Sequence, residues 1–393
     1  MSIKELDNQY IAHTYGRYPI VLKEGKGALL FDEDGKRYID MGSGIGVSAF
    51  GSCDSVWVEA VTKQLTTLQH TSNLYYTEPC VKLAELLCTR TGFKKVFFSN
   101  SGAESNDCAI KAARKYGSDK YGNKRTKILT LQNSFHGRTI TTLAATGQAV
   151  FHKDFLPLTS GFDYVEANNI DDLVGKTNGG DVIAIMFETI QGEGGVMPLD
   201  IAYIQAVRAL CDERDWVMIV DEVQTGIGRT GKLLSIEHAN VKPDVVTLAK
   251  GLGGGLPIGA CLCAEGFENV MSAGMHGSTF GGNPVVCAAA NYILKTVDTP
   301  DFLAAVTDKG EHIRKRLSVM PHVKEVRGKG MMLGIVLEDD IAAKDVANAC
   351  LANGLLILTA KTLLRLLPPL NISEEELARG LDILETVLKE WNQ

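Results

Sequence analysis

No apolar run in this sequence reaches the roughly 18 residues that a membrane-spanning helix needs, so no membrane partner is expected. A basic surplus is missing too. Lys and Arg number 40 against 47 Asp and Glu, a net charge of −7. Proteins that hold nucleic acid by bulk electrostatics lean the other way, so no nucleic-acid partner is expected either. The opening Met1-Ser-Ile-Lys-Glu-Leu-Asp7 lacks the apolar core of a secretory leader. The nine cysteines are odd in number and follow no framework spacing. Reduced thiols in the cytoplasm are therefore the expectation. Cys261 and Cys263 alternate without a second ligand pair, and no histidine stands at a metal-ligand spacing. No metal is expected. Repeats, low-complexity tracts and flexible linkers are absent as well.

What is present is glycine. Forty among 393 residues is about 10%, against an average near 7%. They gather in short groups, such as Gly42/Gly44/Gly46, Gly192/Gly194/Gly195, Gly253–Gly255 and Gly277/Gly281/Gly282. Several groups follow apolar runs. Glycine there permits positive φ and close approach of backbone to a ligand.

Apolar runs without strict alternation predict buried strands at Val96–Ser99, Lys127–Leu131, Val182–Phe187, Trp216–Val220, Val245–Ala249 and Ile258–Ala264. Amphipathic stretches predict helices at Ser55–Thr67, Pro79–Thr91, Glu104–Tyr116, Ile201–Asp212 and Pro284–Val297. Their alternation points to an α/β fold around a mostly parallel sheet. Residues 28–41 predict a hairpin turning at Asp34-Gly35. From about residue 298 the pattern becomes helix, strand, strand, helix, strand, helix. The expected organisation is a large domain over 51–297 and a smaller α+β domain over 298–393, with residues 1–50 packing on the smaller one.

Single motifs leave their chemistry open. Gly226-Ile-Gly-Arg-Thr-Gly231-Lys232 follows the phosphate-loop pattern until Leu233 stands where Ser or Thr should hold Mg²⁺. Ser101-Gly-Ala-Glu104 is either a phosphate seat at a helix N-terminus or a plain capping box. Phe135-His-Gly-Arg138 offers a flat ring and a cation in one loop after a strand, or an ordinary surface loop. Asp221, closing an apolar strand, must be solvated, paired or hydrogen-bonded. It suits a protonated ring nitrogen or a cap. Lys250, between a strand and glycines, is a desolvated Schiff-base nucleophile or a lysine that snorkels to water. Arg365, flanked by leucines, needs an anion unless it lies on a solvent-facing edge strand, which Pro368-Pro369 would permit.

A phosphate seat, an aromatic plate, an Asp, a Lys and an Arg together describe a pyridoxal-phosphate site for an amino acid. Three longer motifs make the likeness specific. They are Ile219-Val-Asp221-Glu-Val-Gln224-Thr-Gly-Ile-Gly-Arg-Thr-Gly231, Leu248-Ala-Lys250-Gly, and Gly277-Ser278-Thr279-Phe-Gly-Gly-Asn-Pro284. In this order the chain resembles the class III (ornithine/acetylornithine type) aminotransferases over nearly its whole length. The resemblance implies the fold-type-I architecture, pyridoxal 5′-phosphate as cofactor, and a homodimer with shared active sites.

Residue by residue, it implies that Lys250 carries the cofactor and then moves the proton, and that Asp221 keeps the ring nitrogen protonated. Gln224 would bind the phenolic oxygen, and Phe135 would stack on the ring. Ser101, Gly102 and Ala103 would hold the phosphate. Thr279, with Ser278 beside it, would reach the phosphate of the other subunit. Arg365 would clamp the α-carboxylate, Glu188 would pair with Arg365 when no α-carboxylate is bound, and Arg138 would clamp a distal carboxylate.

Thr14-Tyr-Gly-Arg-Tyr-Pro19, His70-Thr-Ser-Asn-Leu-Tyr-Tyr-Thr-Glu-Pro79 and the substrate-side Ile45 resemble the acetylornithine branch. That branch implies transfer from N-acetylornithine to 2-oxoglutarate in arginine biosynthesis. Ornithine δ- and 4-aminobutyrate aminotransferases, or an aminomutase of the same fold, are the other readings. Gly51-Ser-Cys-Asp-Ser55, in place of the family's Gly-His-x-His-Pro, and Thr189, in place of Pro, depart from the pattern.

Overall fold

The computed structural model describes residues 1–177 and 179–391. The apolar runs assemble into one seven-stranded sheet. Its order is Lys95–Ser99, Gly259–Cys263, Val245–Leu248, Val217–Asp221, Val182–Phe187, Lys127–Leu131 and Phe162–Val165. The last five run parallel, while Gly259–Cys263 is antiparallel to both its neighbours. Phe162–Val165 was not anticipated; it is four residues long, and an Asp interrupts its apolar pattern. Lys127–Leu131 and Val182–Phe187 have their expected bounds, the other four expected strands differ by one residue at one or both ends, and Asp221 is the last strand residue rather than the first loop residue.

These strands are apolar on both faces because both faces are covered. In Val217–Asp221, Val217 and Ile219 enter one core with Ala109, Ile110 and Ala113 of the helix Gly102–Tyr121. Met218 and Val220 enter the other core with Leu248, Tyr203 and Val207. Burying each such aliphatic side chain contributes about 1.5–3 kcal/mol.

The helix Gly102–Tyr121 is longer than the expected Glu104–Tyr116. It passes through Gly117, where an added Cβ would lie 2.4 Å from the Arg125 carbonyl oxygen, and its polar last turn blurs the helical period. Ser101 caps its start by accepting from the Glu104 amide at 3.2 Å, and left-handed Gly122 ends it.

Residues 29–32 and 37–40 form the expected hairpin, with Gly35 at φ +79°. Strand Arg37–Asp40 also pairs in parallel with Leu355–Leu356, so the two ends of the chain share a sheet. Near the C-terminus the single expected strand is three short ones: Leu355–Leu356, Leu358–Ala360 and Leu363–Leu366. Positive φ at Lys361 breaks the apolar run between the last two. Leu363–Leu366 lies between Met332–Leu337 and Leu358–Ala360, so Arg365 sits on an interior strand and not on an edge.

The Gly226–Lys232 loop is a packing device. A Cβ at Gly228 would meet Val297 at 2.5 Å, and one at Gly231 would meet Thr307 at 2.2 Å. Buried Arg229 donates to the Met331 and Pro368 carbonyls. These contacts tie the large sheet to the C-terminal part of the chain.

Candidate active site

Loops at the carboxyl ends of the parallel strands surround a cavity of about 450 Å³. One wall is Ser101, Gly102 and Ala103, where the helix N-terminus leaves backbone N–H groups without helical partners. Gly102 is required there, because a Cβ would lie 2.7 Å from Val223. Phe135, His136 and Arg138 line another wall. The Arg138 guanidinium rests 4.0 Å from the Phe151 ring centroid and 5.5 Å from that of Phe135. No carboxylate among the described residues forms an ion pair with it.

Asp221 and Lys250 line the same cavity. The Asp221 carboxylate is buried and takes three donors. Asn106 Nδ2 and His136 Nδ1 are each 2.8 Å from Oδ2, and the Val223 amide is 3.0 Å from Oδ1. Lys250 follows strand Val245–Leu248 with φ +45°, a strained position for a side-chain-bearing residue. Burial depresses the Lys250 amine below the usual lysine range. The negative charge of Glu193 works against that shift, and the Arg365 guanidinium reinforces it. An amine held partly neutral in this way is nucleophilic.

Arg365 is buried, as a charge flanked by leucines would be only with a partner. That partner is Glu193, not Glu188. Arg365 Nη1 donates to Glu193 Oε1 at 2.6 Å and to Gln224 Oε1 at 3.2 Å. Burial alone would raise the Glu193 carboxyl, but Arg365 outweighs it and holds the group below the usual range. Glu188 is instead held by the Phe135 amide at 3.0 Å and the Gly192 amide at 3.1 Å. Burial pushes its carboxyl up to about 7, helped by Asp221 and opposed by His136. Arg365 Nε is buried without a partner among the described residues, which leaves the guanidinium a donor to spend on a ligand.

Three further residues lie outside this cavity. Ile45 is exposed and does not line the cavity, whereas Val47 does. Ser43, Gly44, Ile45 and Gly46 all have positive φ, and this left-handed turn carries the Ile45 side chain outward. Ser278 and Thr279 line a separate hollow of about 320 Å³ with Glu104 and Asp107. Asn100 borders both hollows and donates to Ser278 Oγ at 3.0 Å.

Asn106, His136 and Glu193 were missed as site residues. Asn106 stands four residues after Gly102 on the same helix face, and Glu193 stands among the Gly192–Gly195 glycines; both signals were in the sequence.

The donor set fits pyridoxal phosphate: amides at a helix start, a flat ring, a buried carboxylate and a half-buried amine face one cavity. Residues 10–388 match the class-III aminotransferases, and the chain belongs to that family. More particularly, it is 52% identical to the acetylornithine aminotransferase of Haemophilus ducreyi, over 99% of this chain and 98% of the relative. It is 45% identical to that of Methanocaldococcus jannaschii, over 98% of each. Among solved structures, the ornithine aminotransferase of Toxoplasma gondii ME49 superposes with TM-score 0.94 at 30% identity, covering 99% of this chain and 94% of the other. The N-acetylornithine aminotransferase of Stenotrophomonas maltophilia K279a does so with TM-score 0.86 at 36% identity, covering 99% of each.

Glu222, beside Asp221, yields a pH prediction. Burial pushes its carboxyl up to about 7, against hydrogen bonds from Thr225 and the Ile236 amide. A raised folded-state pKa means that the folded protein binds this proton more tightly than the unfolded chain does. Stability from this group therefore falls as pH rises from about 4.5 to about 7, then levels off. Glu222→Gln is neutral at every pH and can still accept from the amide. Its stability relative to the parent should rise across that window, by on the order of 3 kcal/mol at pH 8. Urea unfolding at pH 4.5 and pH 8 measures this, and an equal difference at both would disprove it.

Proposed function

We propose that this protein transfers the amino group of N-acetylornithine to 2-oxoglutarate with pyridoxal 5′-phosphate, giving N-acetylglutamate 5-semialdehyde and glutamate. The observation that carries this reading is 52% identity to an acetylornithine aminotransferase across essentially both chains, together with a cavity that gathers Lys250, Asp221 and Phe135.

When bound, pyridoxal phosphate supplies an aldehyde for the amine and a ring that spreads negative charge. Ser101, Gly102 and Ala103 would hold the phosphate with backbone amides and the helix dipole. Phe135 would pack against the ring, and Asp221 would face the ring nitrogen as its acceptor. Lys250 would hold the cofactor through Nζ and, as a free amine, move the proton at the carbon that bears the transferred amino group, C5 of N-acetylornithine and the α-carbon of glutamate. Gln224 would bind the phenolic oxygen. Arg365 would pair with the α-carboxylate of glutamate, displacing Glu193. Arg138, its guanidinium lying over rings with no carboxylate partner among the described residues, would take the carboxylate at the far end of 2-oxoglutarate or N-acetylornithine. Ser278 and Thr279, outside their own chain's cavity, serve the phosphate of a second copy. A fully active monomer by sedimentation at assay concentration would refute that shared site.

The TM-score of 0.94 to an ornithine aminotransferase favours ornithine as the second reading for the donor. The deciding comparison is kcat/KM for N-acetylornithine, ornithine and 4-aminobutyrate, each with 2-oxoglutarate. N-acetylornithine should rank first. Either of the others exceeding it overturns the donor and leaves the transaminase reading standing.

A further inference from the structure

Asn106 is the least explained polar group in the cavity wall. It is almost wholly buried, one turn into the helix that begins at Gly102. A buried amide has to satisfy both its ends, and this one does so across three elements. Its Nδ2 donates to the His136 carbonyl at 2.7 Å and to Asp221 Oδ2 at 2.8 Å. Its Oδ1 accepts from the Thr247 hydroxyl at 2.6 Å. Thr247 stands directly beside Asp221 on the neighbouring parallel strand.

The orientation of the amide follows from chemistry. A peptide carbonyl and a carboxylate can only accept, so the end of Asn106 that meets both must be the NH₂. A flipped amide would set its oxygen against two acceptors inside the protein. Thr247 reinforces the choice by donating to the other end. The consequence falls on Asp221. Its Oδ2 is tied back by Asn106 and His136, while Oδ1 has, among the described residues, only the Val223 amide. Oδ1 therefore keeps a lone pair for a further donor.

We propose that Asn106, oriented by Thr247, is a positioning residue that acts through Asp221, fixing its carboxylate with Oδ1 presented to the cavity. The inference rests on the reading of Asp221 as the partner of the cofactor's ring nitrogen.

Four substitutions and two double mutants test it, read by equilibrium dialysis of pyridoxal phosphate against the apoprotein, by kcat, and by melting temperature. Asn106→Ala removes a donor from a charged acceptor, and should weaken cofactor affinity and kcat by on the order of 10- to 100-fold. Asn106→Asp preserves the shape but puts oxygen where the donor was, and should be worse than Ala. A purely packing role ranks them the other way, so a milder Asp variant overturns the proposal. Thr247→Val, nearly isosteric and the least disruptive to folding, should cause a smaller loss in the same direction. In an Asp221→Ala background, Asn106→Ala and Thr247→Val should change affinity less than about twofold. If Asp221→Ala is severely impaired and Asn106→Ala still exacts its full loss on top, Asn106 does not act through Asp221. If Asp221→Ala binds and turns over like the parent, it is the reading of Asp221 that fails.

Discussion

Lys250→Ala should lose at least about 10⁴-fold in turnover, because one side chain supplies both the covalent attachment and the proton transfer. The structure explains why no neighbour can take over. Lys250 is half-buried just past the end of an interior strand, on a backbone strained into positive φ that fixes where it points. Its proton affinity is lowered by burial and balanced by Glu193 and Asp221 on one side and by Arg365 on the other. A lysine brought in from elsewhere would carry none of this tuning. The variant should also lose the visible absorbance that attachment produces, while still binding pyridoxal phosphate through the helix amides. Borohydride reduction of the parent enzyme followed by peptide mass spectrometry is the direct check. A pyridoxyl group on any other lysine disproves the assignment.

The second large effect is expected at Arg365. Removing one member of a buried charge pair costs about 3–5 kcal/mol, and Arg365→Ala also strands Glu193 without its cation. The glutamate half-reaction should fall by roughly 10²- to 10³-fold, since glutamate carries a carboxylate beside the reacting carbon. N-acetylornithine reacts at C5, which bears no carboxylate, so its half-reaction should lose less. Arg138→Ala should behave differently. Both N-acetylornithine and glutamate present a carboxylate at the end away from the reacting amine, so both half-reactions lose a charge-assisted pair. Single-turnover kinetics of the two half-reactions separates the two arginines. An unchanged rate in both half-reactions at Arg138→Ala would show that it does not read the distal carboxylate.

Much of this was legible in the residues. The central strands announce themselves because covering both faces of a sheet demands uninterrupted apolar runs, as in Val182–Phe187 and Val217–Asp221. Phe162–Val165 did not, since its pattern is too short and too polar to stand out. The leucines around Arg365 signalled a buried cation in need of an anion. They could not say which glutamate supplies it, because Glu188 and Glu193 lie five residues apart and only the path of the intervening turn decides which carboxylate faces the arginine. Ile45 shows another limit. Gly44 and Gly46 hint at unusual backbone, but positive φ at Ser43 and Ile45 as well is set by tertiary contacts, including the Ser43 hydroxyl on the Leu367 carbonyl. Helix spacing places Asn106 on the face of Gly102, but its bonds could not be read from the sequence. Its partners come from three separated segments, and only the folded sheet makes them neighbours.

The parallel pairing of Arg37–Asp40 with Leu355–Leu356 has a consequence for how the protein is made. On a ribosome adding about 5–20 residues per second, the outer edge of the N-terminal hairpin waits roughly 15–60 s for a partner strand that lies more than 300 residues downstream. During that interval an open strand edge faces a crowded solution, the situation in which strands pair with the wrong chain. Lys36 and Arg37 stand at the start of that edge strand, where like charges on two nascent chains would repel. The same late contact means that a message cut short before codon 355 yields a chain whose first sheet can never close.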